Sequence, residues 1–327
     1  MAELTYLEAG LAAIAEEMRR DPRVWRLGED LGRGGVFGQY KGLIEEFGPA
    51  RVVDTPISEA CIMGAAVGAA MMGTRPVVEM RFSDFALCAV DELVNQAAKA
   101  RFMFGGQTRV PLVVREPIGM WRSSAAQHSQ SLEAWYAHVP GLVVVTPATP
   151  ADNKALLKAA IRVDDPVVYM EHKNLWGLQG EVPEDDAVGE LGRARVVRAG
   201  GDLTLVSWSA MVHEAAKAAE LAADQGIGVE LIDLRTLWPW DREAVLASVS
   251  KTGRLLVVHE AVAVAGFGAE VAATVAEELF HRLQAPVRRL GAPRVPIGYA
   301  PSLEDQVRIF ADRDILPAIR ALAGTNR

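Results

Sequence analysis

The segment that indicates the fold most directly is residues 51–73, RVVDTPISEACIMGAAVGAAMMG. Residues 51–53 are typical of the end of a strand, and Pro56 disfavours helix for the residue before it. Ser58 can cap the helix that follows, and Gly73 is a typical signal for a helix C-terminus. The segment therefore predicts a strand that turns sharply into a helix of small residues.

One carboxylate, Glu59, lies in the first turn of this predicted helix. Its apolar neighbours in the sequence are Ile57, Ile62 and Met63. A carboxylate at this position either stabilises the helix dipole or serves as an acid–base group. The segment alone leaves both interpretations open.

The same helix carries Gly64 and Gly68, four residues apart. Each Gly costs a helix about 1 kcal/mol relative to Ala, and in return another backbone can approach closely. The pattern predicts tight packing on another helix, either within the domain or, as the favoured interpretation, across a subunit interface. The near-neutral run over residues 60–73 is too short to span a bilayer.

Strand-like and helix-like segments alternate along the chain, which predicts parallel sheets covered by helices on both faces. The alternation breaks over residues 173–200, where we expect one short hairpin at most. We therefore predict an α/β fold with two doubly wound domains, residues 1–185 and 201–327, and a linker over 186–200. Predicted strands lie at 24–27, 52–54, 77–82, 110–115, 142–145, 167–171, 203–208, 229–234, 255–259 and 287–290, and predicted helices at 40–47, 59–72, 85–104, 131–138, 150–162, 211–224, 241–249 and 268–283.

Composition excludes several classes of function. The net charge of −8 argues against nucleic acid as a partner, because phosphate binding needs concentrated Lys and Arg. Acidic residues interrupt the apolar runs near the N-terminus, so no signal peptide is predicted. Cys61 and Cys88 both lie in apolar helical contexts and are expected to be buried and reduced. A cytoplasmic protein without membrane contact fits these features.

A second informative segment is AQHSQSLEAWYAHVPGL, residues 126–142. It places His128 in a loop after a predicted strand that ends at Arg115. Because the carboxyl ends of parallel strands meet at one sheet edge, His128 and Glu59 are a candidate acid–base pair. The alternative is a solvated loop histidine.

Eight segments in order resemble one family. The chain resembles the beta subunit of the thiamine-diphosphate-dependent decarboxylase component of 2-oxo acid dehydrogenase complexes, within the transketolase-like superfamily. Such a chain has a pyrimidine-binding domain followed by a transketolase C-terminal domain. The segments are LGED (27–30), GGVFG (34–38), DTPISE (54–59), FSDFALCAVDELVNQAAK (82–99), AQHSQSLEAWYAHVPGL (126–142), IDLRTLWPWD (232–241), GFGAE (266–270) and PIGYAPSLED (296–305).

The resemblance implies roles for individual residues. Glu59 matches the carboxyl group that hydrogen-bonds to the pyrimidine N1′ of thiamine diphosphate, and Glu29 matches a second acid near that ring. Such a carboxyl group needs a surrounding of low polarity. His128 matches a histidine that handles protons near the reacting carbon. Other matches on the cofactor side are Ile57, Ser58 and Ala60 (backbone and wall), Phe85 (ring packing) and Arg81, which departs from the small or amide residue usual there.

The chain lacks the GDG…N motif that binds diphosphate through a divalent metal. The resemblance therefore implies that the diphosphate and its Mg²⁺ lie on an alpha subunit, in an α2β2 assembly with a beta–beta contact. It also implies a lipoyl acyltransferase core as the acceptor of the acyl group. Family members often hold K⁺ on backbone carbonyls that match Leu112, Ala160, Ile161, Val163 and Asp165, with Val163 where Asp is common.

Pyruvate is the expected substrate, because AQHSQSLEAW looks more like pyruvate or acetoin members than branched-chain members. Acetoin dehydrogenase is the close alternative. Two further alternatives remain open, the C-terminal half of a split transketolase and a non-catalytic scaffold subunit.

Overall fold

The computed structural model describes residues 1–324, which form two compact units. The first unit comprises residues 1–118 and 135–191, and the second comprises residues 119–134 and the chain from residue 192 onward. The predicted first domain, residues 1–185, includes residues 119–134, whereas these residues group by their contacts with the second unit. The segment bonds to side chains of the second unit, which no local pattern indicates.

The helices and strands follow the predicted alternation. Among residues 1–324, no helix is long and apolar enough to cross a membrane. The strands are β1 (Ala2–Thr5), β2 (Val24–Gly28), β3 (Val52–Asp54), β4 (Arg75–Glu79), β5 (Val113–Ile118), β6 (Val143–Val145), β7 (Val167–His172), β8 (Gln179–Val182), β9 (Arg195–Arg198), β10 (Leu203–Ser207), β11 (Val229–Asp233), β12 (Thr236–Trp238), β13 (Leu255–Val262) and β14 (Arg288–Ala292). The α-helices are α1 (Tyr6–Arg20), α2 (Leu43–Phe47), α3 (Glu59–Met71), α4 (Ser83–Ala86), α5 (Ala98–Met103), α6 (Glu133–Ala137), α7 (Pro150–Arg162), α8 (Met211–Ala223), α9 (Arg242–Thr252), α10 (Gly268–Leu279), α11 (Pro301–Val307) and α12 (Leu316–Ala323).

The first unit is built on a parallel sheet with the strand order β6–β7–β5–β4–β2–β3. Every residue of β5 and of β7 is buried, which requires cover on both faces of the sheet. Ile14 of α1 and Leu157 of α7 lie in the apolar core that packs against the sheet. The predicted parallel α/β architecture is confirmed.

The second unit has the strand order β14–β13–β10–β11–β9, in which only β9 is antiparallel. β9 lies within the predicted linker, and β8 pairs with the N-terminal β1. The segment 173–200 therefore contains no hairpin of its own, in line with the expectation of one at most. Both partners are distant in sequence, and strand periodicity carries no information about distant partners.

The predicted helix over 85–104 is divided into α4, a 3₁₀ turn at 87–89, a π-helical segment at 91–97 and α5. A Cβ on Gly64 of α3 would lie 3.6 Å from the Glu92 side chain, whereas one on Gly68 would meet no atom within 4 Å. Both positions therefore have room for a Cβ within this chain, and the packing across a subunit interface stays a prediction.

Cys61 and Cys88 are free and exposed, so their predicted burial is wrong. Cys61 lies on α3 and Cys88 on the 3₁₀ turn, on faces that their own chain does not cover. Helical apolar context predicts which face is buried only when the covering element belongs to the same chain.

Four neighbouring strands of the first unit carry buried charges of alternating sign. Glu79 Oε2 on β4 lies 3.1 Å from Arg26 NH2 on β2 and 3.2 Å from Arg115 NH1 on β5, and Arg115 also pairs with Glu171 on β7. Arg115 NH1 donates to the Tyr40 hydroxyl at 2.7 Å. We call these four charges the buried charge ladder. Because each charge contacts an opposite charge on the next strand, the ladder joins the four strands through their side chains.

We expect Glu79→Gln to lower the free energy of unfolding by about 3 kcal/mol, because Arg26 and Arg115 would then face a neutral amide in the interior. Urea denaturation measures the change. Glu46→Gln is the matched control, since its ion pair with Arg19 is at the surface and should contribute little. Equal losses in the two variants would contradict the structural importance of the ladder.

Candidate active site

Three neighbouring strands of the first unit each lead to a residue that the sequence predicted to lie at the cofactor. Glu29 directly follows β2, Glu59 begins α3 after β3, and Phe85 lies in α4 after β4. β2 pairs in parallel with β3 on one side and with β4 on the other, so their carboxyl ends lie side by side. This is the edge at which parallel α/β sheets place ligands. The sheet therefore brings these three residues to one edge.

Glu29 and Glu59 are half-buried carboxylates at this edge. Burial raises the pKa of Glu29, the Glu59 carboxylate raises it further, and Arg81 opposes the shift. When two carboxyl groups are neighbours, ionisation of one makes ionisation of the other less favourable. The pair is therefore suited to hold a proton and exchange it with a basic ring nitrogen.

The backbone before Glu29 is fixed by a glycine. Gly28 has φ +153°, and a Cβ there would lie 2.7 Å from the carbonyl oxygen of Glu79. Its own carbonyl accepts a hydrogen bond of 3.0 Å from the Thr55 amide. The loops after β2 and β3 are thereby joined directly behind the two carboxylates.

Arg81 forms an ion pair with Asp30 in the same loop region. Arg33 lies 3.1 Å from the other carboxylate oxygen of Asp30, which has a left-handed φ of 59°. Asp30 is a residue of the site that the sequence left without a role. It stands in the LGED segment, but its partner lies 51 residues away, beyond any local pattern.

The remaining residues expected at the cofactor form an open surface. Ile57 is 78 % exposed, and Ser58 and Ala60 are exposed beside it. Ser58 is the N-cap residue of α3, as predicted, but its side chain makes no capping hydrogen bond. The Phe85 ring is half-buried and packs 5.7 Å from the Phe82 ring, between centroids. The low-polarity surrounding expected for Glu59 is thus only half supplied by this chain.

His128 lies in the second unit, in the loop of residues 119–134, and is half-buried. Three residues of this loop, Arg122, Ser123 and Ala125, have left-handed φ values of 50°, 57° and 63°. The structure thus brings the acidic residues together in the first unit and gives His128 a separate, strained loop.

Two family models match the chain, "Transketolase, pyrimidine binding domain" over residues 2–179 and "Transketolase, C-terminal domain" over residues 192–313. A pyruvate dehydrogenase E1 component subunit beta of Rhizobium meliloti is 47% identical over 98% of this chain and 70% of its own length. A 2-oxoisovalerate dehydrogenase subunit beta of Bacillus subtilis is 45% identical over 99% of each chain. The chain belongs to the family of 2-oxo acid dehydrogenase beta subunits.

The family resemblance inferred from the eight segments is thereby confirmed. An acetoin:2,6-dichlorophenolindophenol oxidoreductase subunit beta of Cupriavidus necator is 46% identical over 90% of each chain. A solved structure described as "Split gene transketolase, inactive beta4 tetramer" covers 99% of each chain with a TM-score of 0.82 and 24% identity. The last comparison shows the shared fold alone.

The carbonyls expected to hold K⁺ in this beta subunit already contact a cation. Arg75 NH1 donates to the carbonyl oxygens of Ile161 at 2.9 Å and Val163 at 2.8 Å, and Arg75 also pairs with Asp164. These carbonyls lie at the C-terminus of α7, where the helix dipole favours positive charge. The guanidinium group therefore supplies the charge that a bound ion would supply.

The other expected ligands are also engaged. The Leu112 carbonyl accepts a hydrogen bond of 2.8 Å from the Val167 amide, and the Asp165 carboxylate pairs with Arg101. Ala160 is buried in the apolar core. Of the five expected carbonyls, those of Ile161 and Val163 thus bond to Arg75 and that of Leu112 bonds to a backbone amide, and the K⁺ site stays a prediction. Among residues 1–324, no group of three or more His, Cys, Asp or Glu residues is arranged to hold a metal ion.

His259, on β13, is a structural histidine of the second unit. It is fully buried and stacks on the Trp208 ring at 5.1 Å between centroids. Its Nδ1 lies 3.0 Å from the Ala261 carbonyl oxygen, and burial lowers its pKa to about 4. A Cβ on Gly268 would lie 2.8 Å from the ring, so the ring is closely enclosed. A neutral imidazole follows from this enclosure.

If Arg75 supplies the positive charge at the end of α7, the thermal midpoint of the protein should not change when Na⁺ is replaced by K⁺ at equal ionic strength. Arg75→Ala should lower the midpoint in both salts, because the carbonyls of Ile161 and Val163 lose their donor. Differential scanning calorimetry measures both effects. A rise of the wild-type midpoint specific to K⁺ would show that an ion binds beside the guanidinium.

Between about pH 6.5 and pH 4 an unfolded His259 is protonated while the folded one is not, so acid favours the unfolded state. We expect this group to remove about 3 kcal/mol of stability across that window. His259→Gln should flatten the slope of unfolding free energy against pH there, whatever it costs at pH 7. His138→Gln, at an exposed position, is the control that should keep the wild-type slope.

Proposed function

We propose that this beta subunit binds the pyrimidine half of thiamine diphosphate at the carboxyl edge of the first sheet, for oxidative decarboxylation of pyruvate. The observation that carries the proposal is the half-buried pair Glu29 and Glu59, with the raised pKa of Glu29. A pyrimidine ring needs a carboxyl group that can share a proton with a ring nitrogen. When bound, the cofactor supplies the nucleophilic carbon and the electron sink for decarboxylation.

Glu59 would hold the ring nitrogen N1′ and exchange a proton with it through a carboxyl oxygen. Glu29 would keep the pair from carrying two full negative charges, because its raised pKa favours the protonated form. Arg81 opposes that shift, so the proton on Glu29 remains exchangeable. Phe85 would pack against the ring, and Ile57, Ser58 and Ala60 would form the adjoining wall.

His128 is the proposed proton carrier near the reacting carbon. An imidazole is the side chain whose unperturbed pKa lies nearest to neutral pH, so it can donate and accept within one cycle. Its half-buried position in the loop of residues 119–134 leaves part of the ring accessible.

A partner chain is proposed because the site is incomplete. Glu59 is half-buried and Ile57 is largely exposed, whereas the proposed chemistry needs a dry surrounding. Exposed apolar side chains also flank a groove of about 320 Å³ between α3 and the segment 91–104. Such patches mark protein interfaces. They are Met71, Met72, Phe102, Met103 and Phe104.

We assign these surfaces to an α2β2 assembly in which the alpha subunit holds the diphosphate and Mg²⁺, and a second beta subunit contacts the first. The relatives described above are named as beta subunits, and that of Rhizobium meliloti belongs to an E1 component. The acyl group would pass to the lipoyl group of an acyltransferase core. A scaffold role is disfavoured by the acidic pair, which a purely structural edge does not need.

The substrate is proposed as pyruvate, with acetoin as the second candidate. The relatives named for pyruvate, 2-oxoisovalerate and acetoin share 47%, 45% and 46% identity with this chain, so overall identity does not separate them. Turnover of the assembled enzyme on all three compounds decides the question. Two-carbon transfer between sugar phosphates is the corresponding assay for a split transketolase.

Glu59→Gln should lower turnover of the assembled enzyme by about a hundredfold or more, because the amide cannot exchange a proton with the ring nitrogen. The assay is 2-oxo acid-dependent reduction of a dye, with cofactor binding followed separately by quenching of tryptophan fluorescence. Glu45→Gln, an exposed carboxylate of the same unit, should leave turnover unchanged. Full turnover in Glu59→Gln would leave only the scaffold interpretation.

A further inference from the structure

The loop of residues 119–134 is held in a costly conformation. Arg122, Ser123 and Ala125 all have left-handed φ values, and each costs on the order of 1 kcal/mol for a residue other than Gly. Such strain persists only where surrounding contacts fix the backbone. The contacts that hold this loop therefore determine where His128 lies.

One carboxylate of the second unit contacts both arms of the loop. Glu260 Oε1 accepts a hydrogen bond from the Met120 amide at 2.7 Å and lies 3.5 Å from Ser131 Oγ, which donates to it. Met120 stands before the strained residues and Ser131 stands after His128. The Gly119 amide also donates to the Gln130 carbonyl at 3.2 Å, so the arms are bonded to each other as well.

The carboxylate is carried by β13, next to the buried core of the second unit. Glu260 lies between Val258 and Val262, where the register of β13 with β14 shifts. The preceding residue, His259, is fully buried and stacked on Trp208. Trp208 Nε1 donates to Glu133 Oε1 at 3.0 Å, which anchors the far end of the loop to the same core.

We infer that Glu260 is the positioning residue for His128. Its charge-assisted bond to the Met120 amide is of the strong class and closes the strained loop at its base. The inference rests on the proposed role of His128 in proton transfer. Loss of this bond lets the three left-handed residues relax, and displacement of a catalytic group by about 1 Å is enough to cost a large factor in rate.

The test uses the assembled enzyme with Glu260→Ala, Glu260→Gln and the control Glu270→Ala, an exposed residue of α10. Hydrogen–deuterium exchange of the peptide covering residues 119–134 should be about tenfold faster in Glu260→Ala, as expected for loss of one bond to a charged acceptor. Glu260→Gln retains an acceptor oxygen and should show a smaller increase. As controls, exchange of β10 in the Glu260 variants and exchange of the 119–134 peptide in Glu270→Ala should match the wild type.

Turnover provides the second measurement. Glu260→Ala should lower kcat by about tenfold or more with little change in KM, and Glu260→Gln should recover part of the loss. In a double-mutant cycle of Glu260→Ala with His128→Ala, kcat of the double variant should be nearly that of His128→Ala alone, because both substitutions act through the same imidazole.

Two outcomes distinguish failure of the positioning role of Glu260 from failure of the proposed role of His128. Unchanged exchange of the 119–134 peptide in both Glu260 variants would overturn the positioning role. Faster exchange with undiminished turnover in His128→Ala would leave Glu260 as the loop anchor and overturn the proposed role of His128. If Glu260→Ala does not assemble, hydrogen–deuterium exchange of the 119–134 peptide is compared between Glu260→Gln and the wild type instead.

Discussion

The buried charge ladder of Glu171, Arg115, Glu79 and Arg26 is the constraint on which the first unit depends. It runs across four neighbouring parallel strands with one charge on each, and every charge faces an opposite one. In a fully apolar sheet, a strand that slipped against its neighbour would replace one apolar contact with another at little cost in free energy. Here a slip would pull a buried charge away from its partner on the next strand, which is costly in the interior. The ladder joins β2, which leads to Glu29, to β4, β5 and β7, and β3 is joined to β2 by backbone pairing.

Glu79 joins the ladder to the site. Its side chain belongs to the charge network, while its backbone carbonyl approaches Gly28 so closely that no side chain fits there. Gly28 is the last residue before Glu29, so the packing that fixes the strands also fixes where the first acid leaves the sheet. The same edge is open toward solvent at Ile57, and a carboxyl group that must share a proton needs a drier surrounding. The carboxyl edge of the first sheet is thus fixed in position but only half covered, as expected if a second chain completes the pocket.

The sequence predicted the features that arise from local chemistry. The strand-to-helix corner before Glu59 and the N-cap position of Ser58 are both present, since each depends on residues within a few positions of one another. The features missed by the sequence join distant residues: β1 with β8, β9 with β11, and Arg81 with Asp30. The bond of Arg75 to one of the carbonyls expected at K⁺ was missed for the same reason, because Arg75 lies 86 residues before Ile161. The placement of residues 119–134 in the second unit likewise rests on Glu260, 140 residues from Met120.

The two sets of proposed catalytic groups are supported in physically different ways. Glu29 follows β2 and Glu59 begins α3 after β3, and the backbone there is fixed by the close approach of Gly28 to Glu79 and by the Thr55–Gly28 hydrogen bond. His128 belongs to a loop whose left-handed residues store strain that the contacts of Glu260 hold in place. A ring nitrogen that is bound throughout a cycle calls for the first arrangement, since its partner must not move. In its proposed role His128 must also be held in place, and here the contacts of Glu260 with both arms of the strained loop do this.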